Sequence, residues 1–322
     1  MPTLDEMLKI VKKKHGDGSL IQYGKEEKIV DIPRITTGLP SLDLILGGGV
    51  PEGRIMEVFG PESSGKTTMA IHMLSKCQEE GKKVVFMDLE YAFDPVYGKQ
   101  LGLDLKELII SRPDSGEAAL DIVEKLCQTN DIAAIVIDSV AQLMPMATIA
   151  KEIDGTQNIA TTARLLSQTM PRLSHAASKS GTALIFINQI RMNVGQLWGN
   201  PEVTPGGRAL KYMSSIRLDV RGASKAEERN GKEGIPVKVT VKKNKTAPPF
   251  RQTELFLVFG EGFDEVADLL ETALQVGIIE KAGGWYSYKA IKEQGFDNFC
   301  DKLRKDKDLM KIIRTTLSEI KT

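Results

Sequence analysis

The sequence has no excess of charge of either sign. Its 322 residues carry 43 Lys and Arg against 43 Asp and Glu, a formal net charge of zero. That excludes a protein that coats a polyanion by bulk charge, but not one with a local basic surface, because binding follows the local field. Cysteine is scarce. Cys77, Cys127 and Cys300 are far apart and form no metal spacing, so they read as reduced thiols of a cytoplasmic protein. Three scattered histidines make a zinc site unexpected. No apolar run approaches the roughly 20 residues that span a bilayer, so no membrane role is expected. The opening residues, Met1-Pro2-Thr3-Leu4-Asp5-Glu6, are acidic and do not read as a secretory signal. No repeat or low-complexity tract interrupts the chain. The length suits one large domain with appendages, or two domains.

What the chain has is Gly60-Pro61-Glu62-Ser63-Ser64-Gly65-Lys66-Thr67, which matches the phosphate-loop pattern G-x-x-x-x-G-K-[ST]. Residues 54–59 read as a strand before it. Residues 67–80 read as a helix after it, with Ala70, Met73, Leu74 and Cys77 on one face. The glycines let the backbone wrap a phosphate, and amide groups converge on it at a helix N-terminus. Lys66 can then reach the β- and γ-phosphates, and the Thr67 hydroxyl can ligate Mg²⁺.

Residues 4–14 read as an amphipathic helix with Leu4, Leu8 and Val11 as its apolar stripe, broken by Gly16 and Gly18. Residues 1–28 are assigned to this helix and a linker, 29–260 to an α/β core, and 261–322 to a small α+β or helical C-terminal domain. Within the core, 84–88, 134–138 and 184–187 are near-continuous apolar runs, as strands buried on both faces of a parallel sheet require. Helices are expected over 116–127 and 161–178. The stretches 216–220, 236–241 and 253–259 alternate apolar with polar residues and suggest an antiparallel extension with one wet face.

Ligands of parallel sheets bind at the carboxyl ends of the strands. Those ends carry Asp88, Glu90, Asp138, Ser139, Asn188 and Gln189. Asp138 stands where a phosphate-loop enzyme keeps an acid for the Mg²⁺ shell. Glu90 is placed to activate a water, or is a surface residue at a loop start. Gln189 can sense a γ-phosphate through its amide, and pattern alone does not decide it. Lys243 and Lys245 can supply positive charge to the γ-phosphate of a neighbouring subunit, although a solvated charge run is the commoner meaning of such lysines.

Two long segments begin near this end of the sheet. Residues 144–160 include Gly155 and several polar side chains. Residues 191–207 include four glycines, two prolines, Arg191, Met192 and Trp198. Loops of this length are functional or disordered. Arginine, apolar wedges and glycines suit single-stranded nucleic acid, and a substrate lid is the alternative.

These phrases together resemble the bacterial RecA recombinases over nearly the whole chain. The resemblance rests on the phosphate loop with Thr68, Asp94-Pro95-Val96-Tyr97, Val136-Ile137-Asp138-Ser139-Val140, Phe186-Ile187-Asn188-Gln189-Ile190-Arg191-Met192, Gly199-Asn200-Pro201-Glu202, Lys243-Asn244-Lys245 and Gly284-Trp285-Tyr286-Ser287-Tyr288. The second loop's phrases are more specific than the phosphate loop. No N-terminal Cys₄ motif of the RadA type is present.

The resemblance implies a RecA-type ATPase core with a mainly parallel sheet flanked by helices, an N-terminal helix that docks on the adjacent protomer, and a small α+β C-terminal domain. It implies an ATP- and Mg²⁺-dependent protein that forms a helical filament on single-stranded DNA and exchanges strands with a duplex. Glu90 would activate water, Asp94 and Tyr97 would hold adenine, and Gln189 would couple the γ-phosphate to the loop after it. Lys243 and Lys245 would reach a neighbour's ATP, with Tyr212 at that interface. Ile159 and Val194 would wedge between bases. Arg164, Ser167, Arg172, Arg191, Met192, Gly206 and Gly207 would line the DNA, and lysines with Tyr286 would guide duplex. Pro171, Asn193 and Trp198 depart from the family's usual residues, and the acidic tail of many relatives is missing after Lys321-Thr322. A helicase of the same core fold would lack the Gly199-Asn200-Pro201-Glu202 phrase. A non-enzymatic scaffold would lack Glu90 or the loop residues.

Overall fold

The computed structural model describes residues 2–16, 19–20, 32–150, 159–193, 199 and 201–320, with the backbone alone at Ile159 and Ala160. The chain divides into two compact units, residues 1–33 and 34–322. The first holds α1 (Leu4–His15). Thr3 caps it reciprocally: its hydroxyl accepts from the Glu6 amide, and its own amide donates to Glu6 Oε2 at 2.8 Å. Lysines in the last turn complement the helix dipole. Leu4, Met7 and Ile10 are exposed, and Leu8 and Val11 are half-buried.

The second unit begins with β1 (Arg34–Ile35), α2 (Pro40–Leu46) and β2 (Val50–Pro51). It continues through β3 (Ile55–Gly60), α3 (Lys66–Glu79), β4 (Lys83–Asp88), α4 (Pro95–Gln100), β5 (Leu108–Ser111), α5 (Gly116–Gln128) and β6 (Ile132–Asp138). A 3₁₀ turn (Val140–Gln142), α6 (Met146–Ile149), α7 (Ile159–Ser180), β7 (Ala183–Gln189), β8 (Arg191–Met192), β9 (Glu202–Val203) and α8 (Ala209–Met213) follow. Then come β10 (Ile216–Gly222), β11 (Glu227–Arg229), β12 (Lys232–Asn244), β13 (Gln252–Val258) and β14 (Gly262–Phe263). The chain closes with α9 (Glu265–Gln275), β15 (Glu280–Ala282), β16 (Trp285–Tyr288), β17 (Ile291–Gln294), α10 (Phe296–Lys305) and α11 (Lys307–Ser318).

Among the described residues, ten strands form one sheet in the order β14-β13-β12-β10-β3-β7-β6-β4-β5, with β11 paired to β12. From β10 through β5 every pair is parallel. Successive side chains in these strands enter opposite cores. Val84, Phe86, Val136 and Ile185 pack with α2 and α3 residues, whereas Val85, Met87, Ile135, Ile137 and Phe186 pack with α5 and α7 residues. Burial on both faces explains the near-continuous apolar runs.

Two expectations need correction. The strand at 216–220 is not part of a half-wet antiparallel extension: β10 runs parallel to β3 and antiparallel to β12, so it is the seam of the mixed sheet. Its charged positions are buried and paired. Arg217 Nε donates to Glu57 at 2.5 Å, and Asp219 accepts from Arg221 at 2.6 Å. Nor does α3 bury a single face. His72 and Ser75 are as buried as Met73: Phe263 of β14 and Glu265 of α9 lie against His72, and Gly102 lies against Ser75. Lys76 there meets Glu265 at 2.9 Å. Burial holds the His72 imidazole down at about 4, so it stays neutral. The C-terminal α+β region has its own core of Leu269, Leu270, Tyr286, Phe299, Leu303 and Ile313.

Phe186 is fully buried at the centre of the sheet. Phe186→Ala is expected to lower unfolding free energy by about 3–5 kcal/mol through lost transfer energy and a cavity. Ile109→Ala, at an exposed position of the edge strand β5, is expected to cost well under that. Urea titration followed by circular dichroism measures both.

Candidate active site and nucleic-acid interface

The parallel register brings the expected polar residues to one edge. Gly60 at the end of β3 lies opposite Gln189 at the end of β7, and Asp88 of β4 lies opposite Asp138 of β6. The phosphate loop leaves this edge between β3 and α3. Ser63 and Gly65 take left-handed φ values of 55° and 87°. A Cβ on Gly60 would sit 2.0 Å from the Val220 carbonyl oxygen, so only glycine fits. Gly65 is the N-cap of α3 and gives it no side-chain cap. The first amides of that helix are thus left for an anion. Ser64 Oγ donates to the Pro61 carbonyl at 2.9 Å, and the Lys66 ammonium folds back on the same oxygen. Burial pulls the Lys66 pKa below its ordinary value, opposed by the nearby carboxylates of Asp138, Glu90 and Glu62. A half-desolvated ammonium inside a glycine cradle suits a polyphosphate.

Thr67 Oγ1 donates to Asp138 Oδ2 at 2.7 Å, which places two hard oxygen donors side by side. Burial pushes the Asp138 carboxyl up to about 6; the Thr67 hydrogen bond and Lys66 oppose this, and Glu90 and Asp88 add to it. Glu90 Oε1 accepts from Ser139 Oγ at 2.5 Å and from Gln189 Nε2 at 3.2 Å. Gln189 Oε1 is buried with no hydrogen-bond partner. An acceptor left open beside a carboxylate is an arrangement for a water or a ligand donor. Glu62 and Thr68 also belong to this edge through the phosphate loop and α3. Thr68 Oγ1 meets the Tyr97 hydroxyl at 3.1 Å, and Asp94 caps α4 through the Val96 amide at 2.8 Å. Tyr97 is thus fixed beside the first turn of α3.

Lys243 and Lys245 lie elsewhere. Lys243 pairs with Arg217 in register, and Arg217 with Glu57, so the end of β12 adjoins the N-terminal ends of the parallel strands. Lys243 Nζ donates to the carbonyls of Lys211 and Tyr212 at 2.8 and 2.9 Å, and Lys245 Nζ to that of Tyr212 at 3.4 Å. Tyr212 itself is exposed.

The second long loop closes at its base through the β8–β9 ladder, Arg191 opposite Val203 and Met192 opposite Glu202. Glu202 receives both terminal nitrogens of Arg221 at 2.8 and 2.6 Å. Gly206 and Gly207 take left-handed φ values and press on α7. A Cβ at Gly206 would sit 2.6 Å from Leu166 Cδ1, and one at Gly207 2.8 Å from Ala163 Cβ. Gly206 is buried against Leu166 and Val140, and Gly207 is exposed beside exposed Arg164 and Ser167. Arg172 is exposed further along α7 and holds Glu124 at 2.7 Å. Val194 and the Ile159 side chain lie outside the described residues, as do Gly195, Trp198 and all of 151–158. The sequence reading missed Met144, Met146, Ile149 and Val203, which are exposed apolar residues on these segments, as is Met192. A methionine in a polar loop was the available signal.

Fold and site together define a phosphate-loop ATPase whose nucleotide edge leads directly into a long segment rich in glycine and apolar residues. The RecA N-terminal domain family model matches residues 2–264, and the RecA C-terminal domain model matches 267–320. The chain is 48% identical over 321 residues to Protein RecA of Thermus aquaticus, covering 98% of this chain and 94% of the relative. It is 44% identical over 318 residues to Protein RecA of Bacillus subtilis strain 168, covering 98% and 91%. The chain belongs to the RecA family of DNA-dependent ATPases, which act in homologous recombination and DNA repair.

The raised Asp138 pKa has a definite sign for stability. Between about 4 and about 6 the folded state binds the proton more tightly than the unfolded chain, so this group's contribution is present at low pH and lost as pH rises through 6. In magnesium-free buffer, Asp138→Asn is expected to be more stable than the parent at pH 8, by up to about 3 kcal/mol. The difference should vanish near pH 4. Urea midpoints at the two pH values measure it.

Proposed function

We propose that ATP binds the phosphate loop through Gly60, Pro61, Glu62, Ser63, Ser64, Gly65, Lys66, Thr67 and Thr68, with adenine held by Asp94 and stacked on Tyr97. Thr67 and Asp138 would hold Mg²⁺. Their hard, adjacent oxygens fit that ion, which supplies charge neutralisation of the β- and γ-phosphates when bound. Glu90 is the general base. It draws the proton from a water held between its carboxylate and the open Gln189 oxygen.

One observation carries the coupling to DNA. Gln189 donates to the general base and is also the last residue of β7, two positions before Arg191, which opens the ladder at the loop's base. On this reading the Gln189 amide swings off Glu90 to donate to the γ-phosphate. Nucleotide arrival thus frees the base and moves the start of the 191–207 loop together. By linkage, DNA on that loop tightens ATP binding by the same factor.

DNA binding and filament formation belong to the family. The finer assignments are part of the proposal. Single-stranded DNA lies over Arg164, Ser167, Gly206 and Gly207, with Arg172, Arg191 and Met192 along its path and Ile159 and Val194 as wedges. The C-terminal region guides duplex DNA with Lys281, Lys289 and Lys292, which lie over the rings of Tyr286, Tyr288 and Trp285 at 5.1 to 5.2 Å. Lys243 and Lys245 act in trans on the ATP of the next subunit of a helical filament. Their own phosphate loop is at the other end of the sheet, which supports that direction. Among the described residues no helix is long and apolar enough to cross a membrane, and the cytoplasm is the proposed location.

Glu90→Gln is expected to lower DNA-stimulated ATP hydrolysis by roughly 100-fold or more while binding of single-stranded DNA is kept. Mixing Glu90→Gln with Lys243→Ala subunits should restore part of the hydrolysis, because some interfaces then pair an intact Glu90 with an intact Lys243. A phosphate-release assay over a range of mixing ratios checks this. Activity that stays at the weighted sum of the two mutants alone at every ratio would exclude action in trans.

A further inference from the structure

The turn that carries Glu90 is built around an ion pair that the nucleotide chemistry does not use. Asp88 ends β4 almost fully buried. Its Oδ1 accepts from the Ala92 amide at 2.9 Å, and its Oδ2 from the Phe93 amide at 3.4 Å. Arg112, just past the end of β5, donates to the same Oδ2 through Nε at 2.9 Å and lies 2.8 Å away through its second terminal nitrogen. The same guanidinium lies 6.0 Å from the centre of the Tyr91 ring. On the other side, the Leu89 amide donates to the Asp138 carbonyl at 2.8 Å.

Glu90 therefore sits in a turn fixed at both ends, and the residue after it is held in an unfavourable conformation. Tyr91 has φ of 54°, a left-handed value that a bulky residue seldom adopts. Such a conformation persists only where neighbouring contacts over-determine it. Here those contacts are the two amides on Asp88 and the Arg112 group over the ring. Glu90 is itself exposed, so core packing does not set the place of its carboxylate. The backbone of the turn does, together with Ser139 and Gln189. Arg112 also neutralises a buried carboxylate. Without it, Asp88 would be an uncompensated charge and would favour a rearranged turn.

We propose that Arg112 is a positioning residue for ATP hydrolysis, holding the Glu90 turn through Asp88 and Tyr91. The inference rests on the reading of Glu90 as the general base. Arg112 touches no reacting atom. Its effect is expected in the chemical step, since a shift of about 1 Å in a catalytic group can cost up to about 100-fold in rate.

The test uses the full chain with single-stranded DNA and ATP. Arg112→Gln is expected to lower kcat by roughly tenfold to 100-fold while KM for ATP changes by less than about threefold. Assembly on single-stranded DNA with a non-hydrolysable ATP analogue, seen by electron microscopy, should be unchanged. Arg112→Lys keeps a cation without the planar fork and should give an intermediate kcat. In the Glu90→Gln background, Arg112→Gln should cost less than about twofold more, because the two changes act through one group. An unchanged kcat in Arg112→Gln overturns the proposal. Parallel loss of kcat and assembly, or full additivity with Glu90→Gln, also overturns it, by showing a structural or interface role. A Glu90→Gln protein that still hydrolyses ATP at the parent rate removes the general-base reading itself, whatever Arg112→Gln does.

Discussion

The alignment of four parallel strands is the constraint on which the rest depends. β3, β7, β6 and β4 are hydrogen-bonded in a register that ends Gly60 beside Gln189 and Asp138 beside Asp88. Because side chains alternate between two dry cores, a slip of one residue in any strand would exchange its apolar contacts and move its terminal polar residue off the edge. Packing thus fixes the site at a distance. Ile135, Ile137, Phe186 and Met87 have no chemistry of their own, yet they set where Asp138, Gln189 and the Glu90 turn emerge.

Much of this was legible in the sequence, for a physical reason. Strands buried on both faces cannot tolerate polar side chains, so Asp88, Asp138 and Asn188 stood out against apolar runs. The phosphate loop stood out because its backbone needs glycine where a Cβ would strike Val220. The helix α5 was equally plain, with Ser115 capping it through the Ala118 amide. What the sequence hid was pairing. Arg217 and Asp219 looked like the wet face of an antiparallel strand, since alternation does not distinguish a charge facing water from one facing a buried partner. Likewise nothing in the sequence singles out Arg112, because its partner Asp88 is 24 positions away.

A second layer of buried polar contacts ties the two ends of the mechanism together. Glu57, in the phosphate-loop strand, is fully buried and accepts from Arg217 at 2.5 Å and from Asn188 at 2.9 Å. The same Asn188 amide reaches the Pro205 carbonyl at 3.1 Å, next to Gly206 and Gly207. The Arg217 group also lies 4.4 Å from the Phe59 ring centre, one residue before Gly60. A buried network of this kind is stable only when all its members are satisfied. It therefore links the strand before the phosphate loop to the close of the 191–207 loop, and a shift at either end disturbs the other.

The carboxylates of this region are compensated in different ways, and the difference argues for where a cation belongs. Glu57 has an arginine and an amide. Asp88 has an arginine and two backbone amides. Asp219 has Arg221 at 2.6 Å and Lys242 at 3.5 Å. Asp138, among the described residues, has the Thr67 hydroxyl and a lysine whose ammonium is turned to a backbone carbonyl. Burying a carboxylate with so little opposing charge costs stability, which is why its pKa rises to about 6. An arginine stands against Glu57, Asp88 and Asp219, and among the described residues none stands against Asp138. On the proposed reading, the missing charge is the divalent ion that arrives with the nucleotide. Held by Thr67 and Asp138, that ion would offset the desolvation of Asp138, and relief of that cost would add to the binding energy of the ATP complex.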